Sequence, residues 1–216
     1  DYGPFTGLWS IASCQSGQAC RVQAVDSKFQ IDVPKSSSGF FQEYKRPLYT
    51  GVPTDTWYVL QGVDFSKNPV TLNEYMGFTI DGAGASADYR TYAGLYAVSG
   101  FTAEFRIQGL GGTKATSAMS LAMDGTKYTL ALKVDDSTGE ISFTIINHST
   151  KDSETITATP SGARTGSSLK RDELFILGQG YSSSFSAATF AGWYIDSICL
   201  SQPSISTGIS TAISTG

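Results

Sequence analysis

Apolar residues recur at every second position through the middle of this chain, and that rhythm restricts the fold more than any other feature. Across residues 102–108, Ala103, Phe105 and Ile107 alternate with Thr102, Glu104, Arg106 and Gln108. Residues 127–134 repeat the pattern with Tyr128, Leu130, Leu132 and Val134, and residues 140–145 with Ile141, Phe143 and Ile145. Successive side chains of a strand point to opposite faces, so each run predicts a strand with one buried and one wet side. Asp135-Asp136-Ser137-Thr138-Gly139 lies between the last two runs and predicts a hairpin connection, with Gly139 free to take a positive φ.

The same reading, less regular, predicts further strands over 8–14, 20–25, 29–33, 57–61, 77–80, 94–98, 118–123, 154–158, 174–177 and 193–200. No stretch keeps a helical apolar stripe for three turns. Short strands punctuated by turn signals every 8–12 residues indicate an all-β sandwich or barrel. The 216 residues suffice for one such domain, taken as 1–200, followed by a tail or linker over 201–216.

Composition narrows the function. Charged residues are 16% of the chain, so its polar surface is largely Ser, Thr, Gly, Asn and Gln. The net charge of −4 argues against a nucleic-acid partner, which calls for clustered Lys and Arg. No apolar run approaches the roughly 18 residues of a membrane helix, so no membrane insertion is expected. One His and three Cys leave little material for a zinc set or a His-based triad.

Gly100-Phe101-Thr102-Ala103-Glu104-Phe105-Arg106-Ile107 resembles the opening strand of laminin-G-like and concanavalin A-like jelly rolls. The runs 128–134 and 139–145 are similar to that family's central hairpin, and Phe190-Ala191-Gly192-Trp193-Tyr194-Ile195-Asp196-Ser197-Ile198 to its closing F-x-G-x-I-D-x-I strand. The resemblance covers about residues 100–200. It implies a two-sheet antiparallel jelly-roll β-sandwich and a carbohydrate-binding or adhesive module, with hydrolases and lyases among the relatives. The E-x-D-x-x-E signature of one hydrolase branch is absent. Of the R-x-E-x-R strand of an alginate-lyase branch only the Glu104-Phe105-Arg106 half is present. Both departures favour binding over catalysis, so no catalytic residue is assigned.

Cys14 and Cys20 flank a short polar loop; a hairpin there would bring their Cα atoms within reach of a disulfide and imply an oxidising compartment. Cys199, in an apolar strand, is read as a buried thiol, though it could instead pair with either. Asn147-His148-Ser149 is an N-glycosylation sequon at a strand end, with His148 expected to be exposed. From Ser201 the composition changes to a Ser/Thr-rich segment holding three I-S-T-small repeats, 205–208, 209–212 and 213–216. Such a segment serves as a stalk or linker, or as a strand donated to a neighbour's sheet edge; its period of four is read as not marking one face cleanly. Together these features suggest an extracellular, secreted or wall-attached chain.

A sugar site needs an aromatic plate beside hydrogen-bonding groups. Two clusters supply both: Trp57 and Tyr58 after Asp55, and Asp88, Tyr89, Arg90 and Tyr92 after a loop of small residues. Each residue also has an ordinary core reading. No cofactor is required; calcium is a weak possibility at Asp124, Asp135, Asp136, Glu140 or Asp196. The first expectation is a glycan- or surface-binding module without chemistry. The alternatives are a structural subunit of a filament or wall layer linked through residues 201–216, and a polysaccharide lyase or glycoside hydrolase.

Overall fold

The computed structural model describes residues 10–14, 21–25, 28–33, 40–47, 57–65, 75–80, 91–99, 102–109, 112–122, 124–135, 137–159, 173–180 and 191–201. Among them are fifteen strands and no helix. They are β1 (Ser10–Cys14), β2 (Arg21–Val25), β3 (Lys28–Val33), β4 (Phe40–Pro47), β5 (Trp57–Asp64), β6 (Tyr75–Ile80), β7 (Thr91–Ser99) and β8 (Thr102–Gly109). They continue with β9 (Gly112–Thr116), β10 (Lys127–Val134), β11 (Ile141–Asn147), β12 (Ser153–Ala158), β13 (Glu173–Gly180), β14 (Ala191–Ile195) and β15 (Ser197–Ser201).

These strands make two antiparallel sheets. One has seven strands in the order β1-β4-β13-β6-β7-β8-β9. The other has eight, β12-β11-β10-β5-β14-β3-β2, with β15 also paired to β5. The closing strand therefore divides at Asp196: its first half lies between β3 and β5, paired chiefly with β3, and its second half pairs with β5. The architecture is all-β, as the alternating pattern predicts, and a two-sheet antiparallel sandwich, as the resemblance implies.

The core lies where the period-two residues meet. Phe78, Leu95, Phe105 and Ile107 from the seven-stranded sheet face Leu60, Phe65, Tyr128, Leu130, Phe143 and Ile145 from the eight-stranded sheet, all fully buried. Phe105 is the link between the layers, with its ring centroid 5.4 Å from Tyr128, 6.0 Å from Phe65 and 6.4 Å from Phe143. The edge-to-face angles set positive ring edges against negative faces, which stabilises each pair beyond area burial. The Tyr128 hydroxyl meets this burial by accepting a bond from the Ala122 amide at 2.7 Å. Burial raises its pKa above the ordinary value.

Several expectations are corrected. The outer side of β10 is wet only at its ends, at Lys127 and Lys133, because Thr129 and Ala131 between them are buried as well. β4 is a strand that alternation alone does not mark. Residues 118–122 form no strand: the Ala118 and Met119 amides bond the Glu154 carboxylate at 3.0 and 2.9 Å instead of a neighbouring strand. Cys14 and Cys20 do not flank a hairpin. Cys14 ends β1 in one sheet, and β2, which opens at Arg21, belongs to the other; Cys20 itself lies outside the described residues.

Candidate functional site

The outer face of the seven-stranded sheet follows from its register. Because Ala93, Leu95, Phe105 and Ile107 enter the core, Tyr92, Gly94 and Tyr96 of β7 share the opposite face with Gln108, Arg106 and Glu104 of β8. They pair there as Tyr92↔Gln108, Gly94↔Arg106 and Tyr96↔Glu104. One strand further in, Gly77 of β6 pairs with Gly94. Two adjacent positions thus lack a side chain, and both glycines are buried. Gly77 is held at φ +154°, and a Cβ there would fall 2.4 Å from the Ala93 carbonyl oxygen, so nothing larger fits.

The space at Gly94 lets Arg106 fold back along the sheet. Its guanidinium carbon stands 4.2 Å from the centroid of Tyr96, and its Nε donates to Glu104 Oε1. The Arg106 side chain is only 15% exposed. The ring quadrupole and the carboxylate together fix the plane of the fork. Among the described residues the two terminal nitrogens of Arg106 have no partner, so their N–H groups stand ready for an acceptor. A planar fork of this kind matches a carboxylate or a pair of hydroxyls in two parallel bonds.

The residues singled out from sequence are not brought together. Tyr92 lies half-buried on the face just described. Trp57 is half-buried on the outer side of the other sheet, so the two aromatics stand on opposite faces of the sandwich. Tyr58 is a correction: at 6% exposure it belongs to the core and cannot serve as a plate. Asp88, Tyr89 and Arg90 lie outside the described residues. In sequence, Tyr96, Gly77 and Gly94 carry no functional sign on their own, and Glu104 and Arg106 figure only on a wet face, with Gln108, and as half of the R-x-E-x-R strand. The signal for them was the Tyr92-x-Gly94-x-Tyr96 spacing, which puts two rings and a gap on one side of a strand.

Asn147 closes β11. It is 6% exposed, and its Oδ1 accepts bonds from the Ser149 and Thr150 amides at 2.8 and 3.1 Å. His148 is half-buried rather than exposed, with Nε2 2.8 Å from Thr129 Oγ1. Burial lowers its pKa, helped by Lys151 and Lys127 and opposed by Asp196.

Of the acids considered for calcium, Asp124 and Asp135 act as turn caps, and Asp136 lies outside the described residues. Asp124 Oδ1 accepts from the Thr126 amide and hydroxyl, and Asp135 Oδ1 from the Ser137 amide and hydroxyl and the Thr138 amide. These bonds hold both carboxyls below their ordinary pKa. Asp196 is ion-paired to Lys127. Among the described residues no group of three or more His, Cys, Asp or Glu is placed to hold a metal, and no helix is long and apolar enough to cross a membrane.

No protein-family model matches the chain, and no curated protein matches it in sequence. Solved structures do share its fold. The exoplasmic/lumenal domain of VIP36, in a Ca2+/Man3GlcNAc-bound form, matches with a TM-score of 0.54 and 10% identity over 93% of this chain and 88% of that one. The catalytic domain of a GH131 β-glucanase from Podospora anserina gives 0.56 and 10% over 94% and 88%. An alginate lyase from Pseudomonas aeruginosa gives 0.52 and 14% over 86% and 87%. What is common at such identities is the architecture, and this chain has the concanavalin A-like, legume-lectin-like jelly-roll sandwich fold.

Proposed function

We propose that the chain is a glycan-binding module that holds its ligand on the outer face of the seven-stranded sheet. The observation carrying this reading is the Arg106 fork, fixed by Tyr96 and Glu104 on the outer face of the sheet. A sugar ring bound on this face would meet Arg106 for its oxygens, Gln108 for a further hydrogen bond and the Tyr92 ring for its apolar face. Glu104 is already committed to Arg106, which favours recognition over acid–base chemistry. An extracellular location belongs to the same reading, and secretion of the full chain into the medium is its check.

Pull-down on insoluble polysaccharides and a glycan array test the site. Arg106→Ala and Tyr92→Ala should each weaken binding at least about ten-fold, or about 1.4 kcal/mol, while Trp57→Ala on the opposite face leaves it unchanged. Binding that survives both of the first two substitutions would remove this site. Release of reducing ends or of unsaturated uronate products from a bound polymer would replace the binding module with an enzyme.

A further inference from the structure

The eight-stranded sheet has an unguarded edge at β12, on the side of the sandwich away from β2. Ser153–Ala158 pair with β11 in unbroken register, from Ile146↔Ser153 to Ile141↔Ala158. The bond from the Asn147 amide to the Asp152 carbonyl sets the phase of that ladder. Glu154, Ile156 and Ala158 then exchange bonds with β11, while Ser153, Thr155 and Thr157 turn their N–H and C=O groups outward. The short Thr144–Thr155 hydroxyl contact, 2.7 Å, agrees with a non-bonded pair at that level. Ser153, Thr155 and Thr157 are all exposed, and among the described residues their outward groups have no partner.

Natural edges are usually protected by bulges, lysines or prolines. β1 and β9 carry register breaks, and β9 also has Lys114. β2 begins at Arg21. β12 has none of these. Its one charge, Glu154, is turned away from the edge and bound by Ser117 Oγ and the Ala118 and Met119 amides. Below the edge, Ala115, Met119, Leu121 and Ala158 form a fringe only partly buried against the core.

The sequence of residues 205–216 matches such an edge. Its period of four is twice the period of a strand, so the repeat does mark faces once extended. Ile and Thr at the odd positions 205–215 fall on one side, and Ser, Gly and Ala at the even positions on the other. One side is wholly β-branched and suits the apolar fringe; the other is small and suits the Thr155 and Thr157 surface. Pro203 precedes the repeat, which itself holds no charge and no proline.

We propose that β12 is the acceptor edge for residues 205–216 of a second copy of this chain, added as a further strand of the eight-stranded sheet. A second copy is the occupant because Ser153, Thr155 and Thr157 are exposed and, among the described residues, nothing pairs with their outward groups. Donor and acceptor are different surfaces, so the contact is heterologous and joins copies head to tail. This inference is independent of the glycan face, which lies on the other sheet.

Light scattering across a concentration series of the full chain tests it, together with amide exchange at Thr155 and Thr157. Self-association should rise with concentration and slow exchange at both amides at least about ten-fold. Deleting 203–216, or placing a charge on the edge with Thr155→Lys, should return a monomer with an unchanged circular dichroism spectrum. A full chain that stays monomeric overturns the proposal, whether the two amides exchange fast or are protected by its own tail. So does an assembly that survives either the deletion or Thr155→Lys.

Discussion

At Gly62 the backbone adopts φ +64°, and two residues of β5 face one of β10 between the Leu60↔Leu130 and Val63↔Tyr128 pairs. This is a bulge of the kind that uses glycine in the left-handed region. The room left by the missing side chain is filled by Asp196, whose Oδ2 would lie 2.1 Å from a Cβ at Gly62. The Asp196 amide bonds the Gln61 carbonyl at 2.9 Å, and its carboxylate pairs with Lys127. The Asp of the I-D-x-I motif is therefore the post around which the closing strand changes partner from β3 to β5. Gly62→Ala combines backbone strain of roughly 1–2 kcal/mol with expulsion of Asp196. A loss above about 2 kcal/mol is expected in urea unfolding. Lys127→Ala should cost under about 1 kcal/mol, because that pair is more than a third exposed.

Between elements, Glu154 ties the edge of one sheet to the edge of the other. From β12 its carboxylate collects the Ser117 hydroxyl and the Ala118 and Met119 amides, just beyond the end of β9. These bonds, the Ser117 hydroxyl foremost, hold its pKa below the ordinary 4.5 against a smaller opposing effect of burial. A carboxyl depressed on folding contributes stability that is complete above the unfolded value and lost as pH falls through the folded one. Glu154→Gln should therefore be less stable than the parent at pH 7, with the gap closing below about pH 4.5 in denaturant titrations across pH. The same clasp explains a limit of sequence reading. Residues 118–122 look like a strand because Ala118, Met119, Leu121 and Ala122 are apolar enough, but a carboxylate 36 positions away takes the amide of Ala118. β4 is hidden for the opposite reason, since Glu43, Lys45, Arg46 and Pro47 mask its alternation. β8, β10 and β11 are legible because each has an unmixed apolar face toward the core. Arg106 is legible only as a wet-face residue; its fixed geometry depends on Tyr96 and Gly94, contributed by another strand.

Across the whole molecule, the two layers are held in register by few side chains, of which Phe105 is central. Removing its ring leaves Phe65, Tyr128 and Phe143 facing a void that neither sheet can close by bending. Phe105→Ala should cost about 3–5 kcal/mol in thermal or chemical unfolding, a large share of the roughly 5–15 kcal/mol typical of a domain. The topology has one further consequence. β5, in the middle of the eight-stranded sheet, meets β10 on one side and chiefly β15 on the other. About 130 residues separate β5 from β15. A ribosome adding roughly 5–20 residues per second leaves that flank bare for on the order of ten seconds. During synthesis, therefore, Val59 and Leu60 wait beside an empty lane, and whatever shields a nascent chain has to stay until the last strand arrives.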